Sequence, residues 1–158
     1  MTLVELLTVV VILGITIGVF HLVFVTNWQS FQERTSQADL WQEANNIIET
    51  MSREIRSAKQ LQFSDDDDTN SHSVTLFDLN GQTLTFVMRP GSNGKTGEFV
   101  MVKQGKNPQV LSNNLDLAGC DFSQNSGSKR LSVTLTLQEP VFWRMVRVNT
   151  SSEVVLRN

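Results

Sequence analysis

The sequence predicts an α+β protein in which one long N-terminal α-helix packs, by its C-terminal half, on an antiparallel β-sheet. Three observations support this fold class. An apolar run occupies residues 6–25, apolar residues then recur every three or four positions to about Lys59, and apolar and polar residues alternate after Phe63. The first two patterns are typical of a helix, and the third is typical of strands. A chain of 158 residues has room for one modest domain and an appendage.

The apolar run is long enough to cross a bilayer. It reads LLTVVVILGITIGVFHLVFV, and about 20 such residues span the hydrocarbon core as an α-helix. No Lys or Arg occurs before Arg34, although a signal or anchor sequence normally begins with a basic region. We therefore expect that a basic leader has been removed. Residues 1–28 are interpreted as the membrane-spanning helix and residues 29–158 as an extracytoplasmic domain.

A carboxylate lies at the edge of this apolar run. Glu5 would cost a few kcal/mol if it were unpaired in lipid. The nearest cation along the chain is the α-amine of Met1, and a neighbouring subunit can supply the same amine. The alternative is a carboxylate that lies in the headgroup layer. Position alone leaves both interpretations open.

The first fifteen residues, MTLVELLTVVVILGI, resemble the mature N-terminus of type IV pilins and type II secretion pseudopilins. The shared features are an apolar first residue, Thr2-Leu3 before Val4, a glutamate as the fifth residue, and a long aliphatic run. The resemblance implies that a prepilin peptidase cleaves before Met1 and that the new terminus is N-methylated. It also implies that Glu5 neutralises the methylated amine of an adjacent subunit during assembly.

The same resemblance implies a location and a set of partners. The subunit would cross the cytoplasmic (inner) membrane once and then enter an extracytoplasmic filament at the cell surface. Its partners would be other pilins or pseudopilins, the inner-membrane assembly platform, and membrane lipid before assembly. Nucleic acid would be a partner only of a filament that takes up DNA. The late segments RLSVTLTL, FWRMVRV and VVLRN are similar to J- or W-type minor pilins, which implies a place at or near the filament tip and a role in initiating assembly.

Two glycines interrupt the apolar run. Gly14 and Gly18 each weaken a helix in water by roughly 1 kcal/mol relative to Ala. Small residues four positions apart also let helices approach closely in lipid. We expect these two glycines to lie where the helix packs in a filament core. His21, in the same run, is interpreted as a side chain that extends toward the membrane interface.

An apolar stripe continues beyond the membrane-spanning run, apart from a gap at Thr35. It predicts one helix to about Lys59, which would be roughly 85 to 90 Å long. Because one small domain cannot bury that length, we expect its first half to lie in a membrane or among other subunits, and its second half to pack on the sheet. The charged opposite face is interpreted as solvated. The stripe consists of Phe24, Trp28, Phe31, Ala38, Trp41, Ala44, Ile48, Met51, Ile55 and Ala58.

The C-terminal half has the patterns of antiparallel strands. Val74 and Leu76 alternate with polar residues before the turn dipeptide Asn80-Gly81, and Leu84, Phe86 and Met88 alternate after it. The turn-rich loops at residues 89–95 and 123–129 are expected to be exposed and to carry partner specificity. Further strands are predicted at residues 98–103, 115–122, 131–137 and 141–149, with another at 153–157.

Several other kinds of site have little support. The run from Asp65 to Asp68 lacks the spaced pattern of a calcium loop, so we interpret it as solvated. The positions of His21 and His72 in the sequence match no catalytic motif. We expect no enzyme activity, cofactor or metal site. A net charge of -3 gives no general attraction to polyanions. Cys120 has no second cysteine to pair with and is interpreted as a small buried apolar residue.

A different class of function competes with the filament subunit. The chain could be a membrane-anchored extracytoplasmic module that binds a ligand independently of any filament. That hypothesis accounts for the apolar run and the sheet. It leaves the position of Glu5 and the missing basic region unexplained.

Overall fold

The computed structural model describes residues 2–66, 71–78, 81–91, 96–124 and 130–155. The chain divides into two compact units, Met1–Ser36 and Gln37–Asn158. A single helix, α1 (Leu3–Ser57), begins in the first unit and ends in the second. The described strands are β1 (Gln60–Asp66), β2 (Ser71–Phe77), β3 (Thr83–Pro90), β4 (Gly97–Lys103), β5 (Gln109–Leu115), β6 (Asp121–Gln124), β7 (Arg130–Val141) and β8 (Arg144–Val155).

The first unit is helical and directs apolar side chains outward. The hydroxyls of Thr8, Thr16 and Thr26 each donate a hydrogen bond, 2.8 Å long, to the carbonyl oxygen four residues earlier. Each threonine therefore satisfies its polar group within the helix, as a helix in lipid requires. The remaining surface from Leu3 to Val25 is dominated by exposed Leu, Val, Ile and Phe side chains.

The second unit has the predicted α+β fold. Its part of α1 packs on one antiparallel sheet, in which the strand order is β1-β2-β3-β4-β5-β7-β6 and β8 pairs with β7. Alternate residues of β3 face the core, as predicted, so that Leu84, Phe86 and Met88 are buried. The ring centroids of Phe86 and Phe99 lie 5.8 Å apart at the centre of this core.

The buried face of α1 differs from the predicted stripe. Leu40 and Ile47 are buried, whereas Trp41 is 43% exposed, Ala38 is exposed and Ile48 is only half-buried. The prediction was right for Ala44, Met51, Ile55 and Ala58. It was wrong for Ala38 and Trp41, because two overlapping series of residues both have spacings of three and four, and the aliphatic series fits the sheet. The helical residues that face the core are Leu40, Ala44, Ile47, Met51 and Ile55.

The helix ends two residues before the predicted limit. The amide of Ala58 donates to the carbonyl oxygen of Ile55, three residues earlier, at 3.1 Å. This is the bond of a 3₁₀ turn, which is wound more tightly than the α-helix. The amide of Lys59 then donates to the carbonyl oxygen of Phe77 at 2.8 Å. The chain therefore passes directly from α1 into β1, which the sequence did not predict because this strand lies next to the acidic run. Asp67 and Asp68 lie outside the described residues, so the interpretation of that run stays a prediction.

The predicted strand at residues 115–122 was wrong. The chain leaves β5 at Leu115, makes a 3₁₀ turn over Leu117–Gly119 and enters β6. The turn packs closely on β7: the hydroxyl of Thr136 donates to the carbonyl oxygen of Gly119 at 2.9 Å, and a Cβ atom at Gly119 would lie 2.5 Å from that hydroxyl. Only glycine fits this approach. The polar strand β5 was not predicted either.

The last two strands form one long hairpin. β7 and β8 pair in an unbroken register from Arg130 opposite Val155 to Val141 opposite Arg144. Residues 144–149 and 153–155 lie in a strand, as predicted. They form one strand and not two, because the polar residues 150–152 continue β8, and Val141 belongs to the end of β7. Asn80 and residues 92–95, 125–129 and 156–158 lie outside the described part. Gly81 adopts a φ of 73°, which favours glycine.

The position of the buried helix face can be tested with two adjacent residues. Leu40→Ala should lower the free energy of unfolding by about 2 to 5 kcal/mol, because Leu40 is 1% exposed and a cavity would remain. Trp41→Ala should lower it by only about 1 kcal/mol, because much of the indole is already in solvent. Urea titration of the full chain in detergent micelles measures both. A larger loss for Trp41→Ala would contradict the observed face.

Candidate assembly site

The beginning of α1 has a specific arrangement of two polar side chains. The backbone amide of Thr2 donates to Glu5 Oε2 at 2.8 Å, and the amide of Glu5 lies 3.4 Å from Thr2 Oγ1, to which it donates. These reciprocal bonds form a capping box, in which each side chain satisfies an amide that has no partner within the helix. Sequence reasoning missed it, although the signal, Thr-x-x-Glu before an apolar run, was present.

The capping box gives Glu5 a role within its own chain. Its carboxylate lies at the positive end of the helix dipole. The side chain is nevertheless exposed, so a neighbouring cation can approach it. Met1 lies outside the described residues, and the pairing of Glu5 with the amine of Met1 stays a prediction. The geometry thus shows a carboxylate that is oriented by its own helix and accessible from outside.

Gly14 and Gly18 have open space around them. A Cβ atom built on either glycine would meet nothing within 4 Å. Packing among the described residues therefore does not require glycine at either position. Because neither residue has a side chain, the two positions form a shallow strip on the helix surface. Packing in a filament core stays a prediction.

Aromatic side chains follow the apolar run. The rings of Phe24 and Trp28 are stacked with centroids 6.4 Å apart, and the rings of Trp28 and Phe31 are also 6.4 Å apart. Aromatic rings of this kind are typical of the boundary between hydrocarbon and water. By length and composition, α1 is long and apolar enough to span a membrane.

The second unit has an open cavity at the C-terminal end of α1. Its volume is about 360 Å³. Glu54 Oε1 and Lys103 Nζ form an ion pair of 2.8 Å in its wall. Gln82 and Gln104 add polar groups, and Leu76 adds an apolar one. The mixed lining can accept a small polar molecule.

The tip of the β7–β8 hairpin was not predicted as a surface feature. Phe142 and Trp143 are 57% and 74% exposed, and their ring centroids lie 5.9 Å apart. Phe142 has a φ of 55°, which is unusual for a bulky residue. The available signal was the pair of consecutive aromatic residues, which interrupts the alternation within the strand predicted at residues 141–149.

Cys120 is buried, as predicted. The amide of Thr136 donates to Cys120 Sγ at 3.3 Å. Burial raises the pKa of the thiol to about 11, against an opposing effect of that backbone hydrogen bond. The thiol is therefore protonated at neutral pH, in an environment that does not favour nucleophilic chemistry.

Comparisons with protein families, with curated proteins and with solved structures found no match. The long apolar N-terminal helix followed by an antiparallel sheet is a pilin-like arrangement.

The raised pKa of Cys120 predicts a pH dependence of stability. Between pH 9 and 11 the unfolded thiol ionises while the folded thiol stays protonated, so the folded state is progressively destabilised. The stability advantage of the wild type over Cys120→Ala should therefore be constant below pH 9 and then shrink, by at most about 1.4 kcal/mol per pH unit. Urea titrations across this range measure the difference. An advantage that does not change with pH would contradict the buried, raised-pKa thiol.

Proposed function

We propose that the chain is a minor pilin or pseudopilin, a non-catalytic structural subunit of a type IV pilus or a type II secretion pseudopilus. The observation that carries this proposal is the beginning of α1, where an oriented, exposed carboxylate precedes a long apolar helix. The capping box needs only a side-chain acceptor at residue 5. Pairing with the N-terminus of a neighbouring subunit also uses the negative charge and the exposure of Glu5.

The membrane-stored state follows from the apolar surface of the first unit. Lipid covers the exposed Leu, Val, Ile and Phe side chains, and the threonine hydroxyls remain bonded within the helix. The capping box keeps the charged carboxylate of Glu5 at the start of the helix. The second unit would lie on the extracytoplasmic side.

Assembly would transfer the helix from lipid to other apolar helices. Because both environments are apolar, the transfer exposes little hydrocarbon to water. Glu5 would then neutralise the N-methylated amine of an adjacent subunit, a pairing whose loss leaves a buried charge and costs about 3 to 5 kcal/mol. Gly14 and Gly18 would allow the neighbouring helix to come close. The partners are other pilins and the inner-membrane assembly platform.

A place near the filament tip is the finer part of the proposal. It is supported by the similarity of the late strands to J- or W-type minor subunits. The exposed aromatics of the β7–β8 hairpin give the second unit a surface that a neighbouring subunit can cover. In that position the subunit would help to initiate assembly.

The role of the Glu5 charge can be separated from its role in the capping box. Glu5→Gln keeps a side-chain acceptor for the Thr2 amide but removes the negative charge, since Gln also serves in a capping box. It should lower incorporation into filaments at least about tenfold, because it leaves the amine of a neighbour without its counter-charge. The measurement is the amount of chain in sheared filaments relative to membranes.

Two further variants serve as controls for this measurement. Thr2→Ala removes the hydroxyl acceptor and keeps the charge, so incorporation should stay within about twofold of wild type. Glu49→Gln removes an exposed charge from a distant part of α1 and should have no effect. Equal losses for Glu5→Gln and Thr2→Ala would show that helix capping, and not charge pairing, is the function of Glu5.

The two glycines provide an independent test of helix packing. Replacing Gly14 and Gly18 together by Ile should reduce incorporation into filaments, because branched side chains would hold the neighbouring helix away. Replacing both by Ala should leave incorporation close to wild type, since the space around each glycine is open. Membrane insertion, measured by extraction at high pH, should be normal in both. Wild-type incorporation of the Ile variant would contradict close packing at these positions.

The cavity beside Glu54 and Lys103 supports a second candidate, a membrane-anchored module that binds a small polar ligand. This function needs no charge at residue 5. If cells that carry Glu5→Gln kept the function of the wild-type chain although the variant did not enter filaments, the membrane-anchored module would be favoured over the filament subunit.

A further inference from the structure

Strand β8 lies at a free edge of the sheet. It is 12 residues long and pairs with β7 along its whole length. Among the described strands, β7 is its sole partner, so the other edge of β8 presents backbone amides and carbonyls that no described strand covers.

This edge has only part of the usual protection against pairing with another chain. Edge strands are commonly short, bulged, interrupted by Pro, or lined by charged side chains, Lys above all. β8 reads RMVRVNTSSEVV, without Lys, Pro or Gly, its register with β7 contains no bulge, and its three charged residues, Arg144, Arg147 and Glu153, are of both signs. By contrast, the edge strand β1 has seven residues and ends in two aspartates. β8 is therefore an accessible template for strand addition.

The two faces of β8 differ regularly. The even-numbered residues from Val146 to Val154 face the core and are buried or half-buried. The odd-numbered residues face solvent, and all of them are exposed: Met145, Arg147, Asn149, Ser151, Glu153 and Val155. Any strand that adds to β8 must match this alternation, because its apolar face must continue the core face.

The sequence of β8 matches itself in one antiparallel register. When two copies pair about a two-fold axis at Thr150, residues whose numbers add to 300 lie opposite each other, and both core faces stay on the same side. On the exposed face, Met145 then lies opposite Val155 and Arg147 lies opposite Glu153. On the core face, Val146 lies opposite Val154. A shift of two residues would instead place Met145 opposite Glu153.

We propose that β8 pairs with β8 of a second copy of this chain, in this antiparallel register. The pairing joins the two sheets into one and covers Met145 and Val155, which are 49% and 53% exposed in the single chain. Such an isologous contact closes on itself and gives a dimer. The inference depends on the sheet edge alone and is independent of the filament function.

The charges at the edge are arranged to accept a second copy. Two ion pairs lie within one chain. Glu153 Oε2 is 3.3 Å from Arg130 Nη1, and Asp116 Oδ2 is 3.4 Å from Arg147 Nη2. Pairing in the proposed register would place Glu153 of one copy beside Arg147 of the other. The result is a row of alternating sign, Arg130, Glu153, Arg147 and Asp116, that crosses the interface once, and the two-fold axis generates a second such row. Opposite charges across strands stabilise pairing, and like charges oppose it.

Charge reversal tests the pairing in the full chain. Arg147→Glu and Glu153→Arg should each weaken association at least about tenfold, because each variant places like charges opposite one another twice. An equal mixture of the two variants should associate as wild type does, since both cross-interface pairs are again of opposite sign. Mixing does not repair the contacts within each chain, so recovery reports the interface alone. The measurement is energy transfer between labelled full-length copies in detergent micelles, which do not fix the relative orientation of the two copies of α1.

Cysteine cross-linking tests the register independently. In a Cys120→Ala background, a mixture of Met145→Cys and Val155→Cys should form a disulfide between copies under mild oxidation. Neither variant should do so alone, because the matching residues lie at opposite ends of the strand. A mixture of Asn149→Cys and Val155→Cys is the matched control and should not cross-link. Wild-type chains that stay monomeric, single reversals that associate normally, or equal cross-linking in the control mixture would each overturn the proposal.

Discussion

The first unit is governed by one constraint: the apolar side chains from Leu3 to Val25 have to be removed from water. Each fully buried side chain of this size contributes about 1.5 to 3 kcal/mol, and the described unit leaves them exposed. Lipid and a bundle of similar helices both satisfy the constraint. Because the threonine hydroxyls are bonded within α1, neither environment has to supply polar partners along the run.

Glu5 is the exception to that apolar surface. Its carboxylate is bonded within its own helix and is also exposed. Within the chain, its carboxylate accepts the amide of Thr2 and completes a capping box. The same carboxylate is exposed and lies at the helix terminus, where the N-terminus of a neighbour would arrive in a filament. The helix cap orients the side chain before any partner binds, which reduces the entropy lost on pairing.

The fold class could be predicted from the sequence because it depends on periodicity. The change from a helical pattern to alternation after Phe63 is a local property, and α1 and the strand β3 followed from it. The choice between Leu40 and Trp41 on the helix could not be predicted, because both fit a helical spacing and the sheet decides between them. Likewise, the turn at Gly119 depends on Thr136, which is distant in sequence. The capping box was visible in the sequence, whereas Phe142 and Trp143 became a surface only once the hairpin register was known.

The second unit is a packed domain with exposed features at its periphery. Its core is formed by α1 and the sheet around Phe86 and Phe99, and it contains a buried thiol in Cys120. The hairpin tip and the edge of β8 lie at the surface, away from that core. The cavity differs from them, because core residues, among them Ala58, Leu76 and Leu84, form part of its wall.

We propose that this chain is processed at its N-terminus and assembled through it. Mass spectrometry of the N-terminal peptide, on native protein recovered separately from membranes and from sheared filaments, tests it most directly. The account predicts an N-methylated Met1 in the filament fraction. An unmethylated chain that retains a leader and is confined to membranes would contradict it.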